Sequence, residues 1–199
     1  MSAARGKLIV LYGINNLGKS TQARILVDAL QAKGIRASYL KYPLYDLVPS
    51  GPMLNAYLRE GNPDKLGSRE FQMLQVMNRT QYDAALEARL ASGEWIVAED
   101  YVGTGIAWGM GAGVDREWQE LMNAHLVKAD CALLFQGQRF MEAQEKNHKH
   151  ESDNELTERV RKAHDALGRD FGWIRIDANR SIEEIATEVL SVVMKAFRL

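Results

Sequence analysis

No segment constrains this chain more than Gly13-Ile-Asn-Asn-Leu-Gly18-Lys19-Ser20, which satisfies the pattern G-x-x-x-x-G-K-[ST]. Such a loop wraps phosphate because its glycines tolerate the torsions that turn successive N–H groups inward. The loop amides, those of Gly13, Asn15, Asn16, Leu17 and Gly18 among them, then act as donors. Lys19 reaches the β- and γ-phosphates of ATP, and Ser20 can ligate magnesium. The pattern carries this meaning only between a strand and a helix, whose positive N-terminal end adds to the site. Both flanks are present. Lys7 to Tyr12 is a short β-rich apolar run, and Ser20 to Lys33 puts Ala23, Leu26, Val27 and Leu30 on one helical face before Gly34.

The same alternation continues along the chain. Ala37 to Tyr42 reads as a second strand stopped by Pro43, Trp95 to Glu99 as a third, Cys131 to Phe135 as a fourth and Trp173 to Ile176 as a fifth. Between them, residues 51–66 suggest a short helix and a loop around Gly61-Asn62-Pro63. Ser68 to about Ser92 is helical, with a capping box Ser68-Arg-Glu-Phe71 weakened by Phe71. A Gly-rich stretch, Gly103 to Gly113, leads to a helix at Arg116–Lys128, and further helices are expected at Arg139–Glu145, Asn154–Leu167 and Ser181–Phe197. Short apolar strands alternating with helices predict an α/β, three-layer P-loop NTPase fold: a five-stranded parallel sheet with helices on both faces. With no repeat, low-complexity tract or linker, residues 1–199 are expected to form a single domain.

In such sheets ligands sit outside the carboxyl ends of the strands. Glu99 and Asp100 follow Ile96-Val97-Ala98 at such an end. Phosphoryl transfer calls for a carboxylate near the metal, and alternation along the strand should point the two acids differently. Glu99 is therefore placed with Ser20 on magnesium or its waters, and Asp100 in the acceptor pocket; an acidic pair merely ending a strand is the alternative. Arg79, on a helix, has the planar fork suited to phosphate, although most helical arginines are solvated.

Composition removes several classes. A net charge of -1 provides no field for nucleic acid or anionic membrane. No apolar run reaches the ~20 residues that span a bilayer, so cytoplasm is the expected location. The single cysteine, Cys131, lies in an apolar run and reads as a buried thiol. His125 and His164 read as structural or surface histidines, Trp118 and Trp173 as packing aromatics.

With these pieces in place, the chain resembles the thymidylate kinase family nearly end to end. GINNLGKSTQ, with Thr21 and Gln22, is similar to that family's phosphate loop, and Tyr42-Pro43 to its aromatic-Pro pair. Asn78-Arg79-x-Gln81 resembles the helix whose arginine binds the nucleoside monophosphate. The run Glu99-Asp100-Tyr101-x-x-Thr104-Gly105-x-Ala107-Trp108 resembles the Asp-Arg-Tyr/His segment and its sequel. Asp177-Ala-Asn179-Arg180-Ser-Ile-Glu-Glu184 resembles the adenine-side loop. Residues 146–153 fall at the family's short lid. There Lys146-Asn-His148-Lys149-His150 offers Lys146 or Lys149 as the cation that members without a phosphate-loop arginine take from the lid; a solvated basic loop is the alternative, and a metal site at the two histidines is a weaker one.

The departures gather on the acceptor side. Asp100 stands where the family has an arginine, Tyr45 replaces another arginine, and Gln75 replaces the phenylalanine that stacks on thymine; in the loop, Asn15 replaces an acid. The resemblance implies ATP- and Mg²⁺-dependent phosphorylation of a pyrimidine deoxynucleoside monophosphate, dTMP above all. Tyr42, Pro43, Tyr45, Gln75, Arg79, Asp100, Tyr101, Gly105, Trp108 and His150 would surround the acceptor, and Asn179 and Arg180 the adenine. It also implies a homodimer paired through long helices. A deoxynucleoside kinase and a non-catalytic nucleotide-binding protein are the competing readings.

Overall fold

In the computed structural model, which describes residues 4–138 and 154–198, the apolar runs become β1 (Leu8–Tyr12), β2 (Ala37–Lys41), β3 (Trp95–Glu99), β4 (Cys131–Gln136) and β5 (Ile174–Asp177). They form one five-stranded parallel sheet in the order β2-β3-β1-β4-β5. Parallel neighbours need crossover connections. The helices are α1 (Lys19–Ala32), α2 (Ser50–Arg59), α3 (Ser68–Ala91), α4 (Val102–Gly111), α5 (Arg116–Asn123), α6 (Asn154–Asp170) and α7 (Ile182–Phe197).

Alternation along β1 divides the core. Ile9 and Leu11 join Val97 and Leu133 in a cluster with Leu26 and Leu30 of α1 and Val189 and Val193 of α7. Leu8 and Val10 join Ile96 and Ala98 against Leu86 and Leu90 of α3. Each fully buried aliphatic contributes about 1.5–3 kcal/mol, which makes this central stack the rigid support for whatever stands at its edge. Trp173 packs as expected, stacked on Tyr12 with ring centroids 4.2 Å apart, while Trp118 lies under the Arg69 guanidinium. Cys131 is buried, and burial beside Asp130 pushes its thiol up to about 11.

Five local expectations need correction. The Gly-rich stretch is itself the helix α4, despite a propensity cost of about 1 kcal/mol per glycine. Close packing explains it: a Cβ on Gly103 would meet the Trp173 ring at 2.5 Å, and one on Gly105 would meet Arg79 Nη2 at 2.2 Å. The next helix stops at Asn123 instead of Lys128, because Leu126 turns in to join the α3-side core. The cap of α3 is shifted by one residue: the Gly67 N–H donates to Glu70 Oε2 at 2.6 Å, and Gly67 has no side chain to return the bond. Finally, β2 ends at Lys41, so Tyr42 lies beyond it, and β5 begins at Ile174 instead of Trp173. The expected helix at Arg139–Glu145 and the lid at 146–153 lie outside the described residues.

Register decides what meets at the carboxyl edge. Leu11 pairs with Glu99, Glu99 with Lys41, and the Asp100 N–H donates to Leu11 O at 3.3 Å. The end of β3 is thereby fastened beside the loop that leaves β1.

Candidate active site

The loop from Gly13 to Ser20 joins β1 to α1. Gly13 and Gly18 have φ values of 136° and 76°, and Gly18 caps α1 from the left-handed region that glycine enters freely. Lys19, only 3% exposed, donates from Nζ to Gly13 O (3.0 Å) and Ile14 O (2.8 Å) and lies 3.4 Å from Asp100 Oδ1.

Glu99 gathers three donors: Ser20 Oγ at 3.0 Å, Lys41 Nζ at 3.2 Å and the Tyr39 hydroxyl. Burial alone would raise its pKa, but the charges of Lys19 and Lys41 and the bonds from Tyr39 and Ser20 outweigh burial and hold the carboxyl below its ordinary range. Asp100 goes the other way. Burial raises its pKa, and the Glu99 charge adds to that against the opposing pull of Lys19 and Lys41. Its backbone is left-handed, with φ 60°, a conformation costing of order 1–3 kcal/mol in a non-glycine residue. That turn directs its carboxylate away from Glu99's partners, to Lys19 and to a 3.2 Å bond from Thr104 Oγ1.

Opposite the loop, Arg79 projects from α3 and is 2% exposed. Nη1 donates to Asn123 Oδ1 (3.2 Å) and Nη2 to Gln75 Oε1 (3.4 Å), while Nε has no partner and no carboxylate pairs with the group among the described residues. Burial lowers its pKa. The Tyr42 and Tyr101 rings, centroids 5.0 Å apart, stand beside it, and both hydroxyls are buried with no partner among the described residues.

One cleft of about 780 Å³ brings the two groups together. Asn15 through Thr21, Tyr42, Pro43, Tyr45, Gln75, Arg79, Glu99, Asp100, Gly105, Trp108 and Arg180 all line it. Three candidates do not. Gly13 faces a smaller cavity of about 150 Å³ behind the loop, shared with His164. Asn179 lines a separate cavity with Gln136 and Asp177, where its Oδ1 accepts from Gln138 N at 2.8 Å. Tyr101 stands behind Tyr42, 1% exposed. Lys146, Lys149 and His150 lie outside the described residues.

Sequence reasoning missed Lys41, Tyr39, Thr104, Asn123 and Arg59. The first two could have been found by pairing β2 with β3, since Lys41 is opposite Glu99 and Tyr39 is two residues back on the same face. Thr104 is one helical turn after Asp100. Asn123 and Arg59, the latter 4.6 Å over the Tyr45 ring, carry no local signal.

Comparison with known proteins agrees with this geometry. Residues 11–189 match the family model described as thymidylate kinase. The human thymidylate kinase is 30% identical over 203 residues, covering 100% of this chain and 94% of its own. The enzyme of Plasmodium falciparum is 27% identical over 195 residues, covering 96% and 91%. Among solved structures, a thymidylate kinase from Candida albicans superposes with a TM-score of 0.84 over 97% of this chain and 93% of its own, and at 21% identity that likeness is one of fold.

Proposed function

The chain belongs to the thymidylate kinase family of nucleoside monophosphate kinases, and from that premise we propose that it transfers the γ-phosphoryl group of ATP to dTMP, forming dTDP and ADP. The observation that supports this reading best is the single cleft, with a phosphate loop at one end and a buried guanidinium facing it. Little covalent chemistry is asked of the protein in such a transfer, so positioning and charge carry the rate. An oxygen of the acceptor phosphate attacks the γ-phosphorus while the bond to the β–γ bridging oxygen breaks. Lys19 turns from the loop carbonyls to the β- and γ-oxygens, and the amides of Asn15 to Ser20 hold the donor. Arg79 orients the acceptor, with Tyr42, Gln75 and Trp108 shaping its pocket.

The residues present fit magnesium. Ser20 Oγ and Glu99 Oε1 are hard oxygen donors 3.0 Å apart. Two such oxygens suit an ion that takes one or two protein ligands and completes its shell with phosphate and water. Ser20 and Glu99 would hold the ion, which would supply positive charge to offset that developing on the transferred group.

The same reading treats 1–199 as one kinase domain with a lid at 146–153, whose Lys146 or Lys149 supplies a further cation and whose closure excludes water. It seats the adenine near Asn179 and Arg180. It also pairs two chains through α3, where Met73 is exposed, and places the enzyme in the cytoplasm. Among the described residues no helix is long and apolar enough to cross a membrane. A panel of nucleosides and nucleoside monophosphates, followed by ADP release, tests the proposal. Turnover with dTMP is expected; turnover with thymidine alone would overturn it.

A further inference from the structure

Register places Lys41 opposite Glu99, so both side chains leave the sheet on one face. Lys41 Nζ lies 3.2 Å from Glu99 Oε1 and 3.5 Å from Ser20 Oγ. An ammonium therefore contacts both oxygens assigned above to magnesium. It does so on a side chain that is 50% exposed, whereas Lys19, the other cation nearby, is buried and bonded to loop carbonyls.

We propose that Lys41 is a placeholder for the divalent cation: it holds the Ser20–Glu99 pair together and must be displaced when the metal enters. The inference rests on the assignment of magnesium to that pair. Magnesium bonds oxygen at about 2.0–2.1 Å, so an ion shared by Oγ and Oε1 falls within reach of the ammonium that touches both, and the like charges repel. Until then Lys41, in contact with both oxygens, keeps Glu99 aimed at Ser20, so the metal ligands are set before the metal comes. The long, half-exposed stem lets the ammonium swing aside without moving the strand. Lys41 acts through Glu99 and is a positioning residue.

The test uses the nucleotide-free protein and Mn²⁺, followed by loss of the free-ion EPR signal, and so does not depend on turnover. Lys41→Met is expected to bind Mn²⁺ about fivefold more tightly, equivalent to about 1 kcal/mol. Lys41→Arg is expected to return to the wild-type affinity. Arg24→Met removes a cation that lies 4.6 Å over the Tyr39 ring without contacting Glu99, and it should leave the affinity unchanged. Unchanged or weaker binding in Lys41→Met overturns the placeholder, as does equal tightening in Arg24→Met, which would reduce the effect to net charge. Glu99→Gln separates the two levels. Mn²⁺ binding that survives it removes the metal assignment and the inference together, whereas Glu99-dependent binding that ignores Lys41 removes the placeholder alone.

Discussion

The two halves of the cleft manage buried charge in opposite ways. On the donor side, Lys19 is satisfied by two loop carbonyls and Asp100, and Glu99 by Ser20, Tyr39 and Lys41. On the acceptor side, Arg79 is as deeply buried yet meets only two amide oxygens, and its Nε and the neighbouring Tyr42 and Tyr101 hydroxyls have no partner among the described residues. An unsatisfied buried polar group costs about 1–3 kcal/mol. The donor half is thus internally neutralised before any ligand arrives, while the acceptor half keeps polar capacity in reserve for one. Gly105 helps make that possible, since only a missing Cβ leaves room for the guanidinium.

The sharpest way to break this contrast is to remove one cation from each half. Lys19→Ala should lower kcat about a thousandfold, because a preorganised donor to the transferred group is lost. Arg79→Met should raise KM for the acceptor about 10–100-fold, the equivalent of about 1.5–3 kcal/mol, with KM for ATP nearly unchanged. Its Tm should not fall, since the group removed is a buried charge without a counter-ion. A large loss of Tm with an unchanged acceptor KM would show that Arg79 is structural and the two halves are alike.

A second test probes the support behind the donor loop. His164 is 2% exposed, its Nδ1 bonds Val160 O at 3.0 Å, and burial together with the Lys19 charge pushes its pKa down to about 3. An unfolded histidine titrates near 6.5. Between about 3 and 6.5 the unfolded chain binds the extra proton, so stability falls as pH drops through that window and is insensitive to this group above it. His164→Phe should flatten urea-unfolding free energy between pH 7 and pH 5 by up to about 1.4 kcal/mol per pH unit. An unchanged slope would mean that His164 is not held neutral.

The smallest effect belongs to Gln75. Gln75→Phe would exchange its bond to Arg79 for an aromatic face, worth about 0.5–1.5 kcal/mol. A roughly threefold lower acceptor KM is expected. A higher KM would show that holding Arg79 matters more than stacking.

The same contrast explains what could be read from sequence. The donor loop is one contiguous run whose residue types follow from its backbone, and the five strands stand out as short apolar runs. The acceptor side draws on α2, α3, the end of β3 and α4, and distance along the chain hides it. The Gly-rich run carries no helix signal of its own because glycine propensity opposes one locally, while the reason for its helix lies in Trp173 and Arg79, far away in sequence. Lys41 carries no local signal, and only parallel register sets it beside Glu99.

That register also bears on how the protein comes into being. One row across the sheet runs from Lys41 through Glu99 and Leu11 to Leu133, joining segments from the first quarter of the chain to those past its middle. Contacts of such long sequence separation form only after large loops have closed, which makes parallel sheets slow to assemble. No fragment ending before β4 can complete the row. The return of activity during refolding should therefore follow closure of the central sheet.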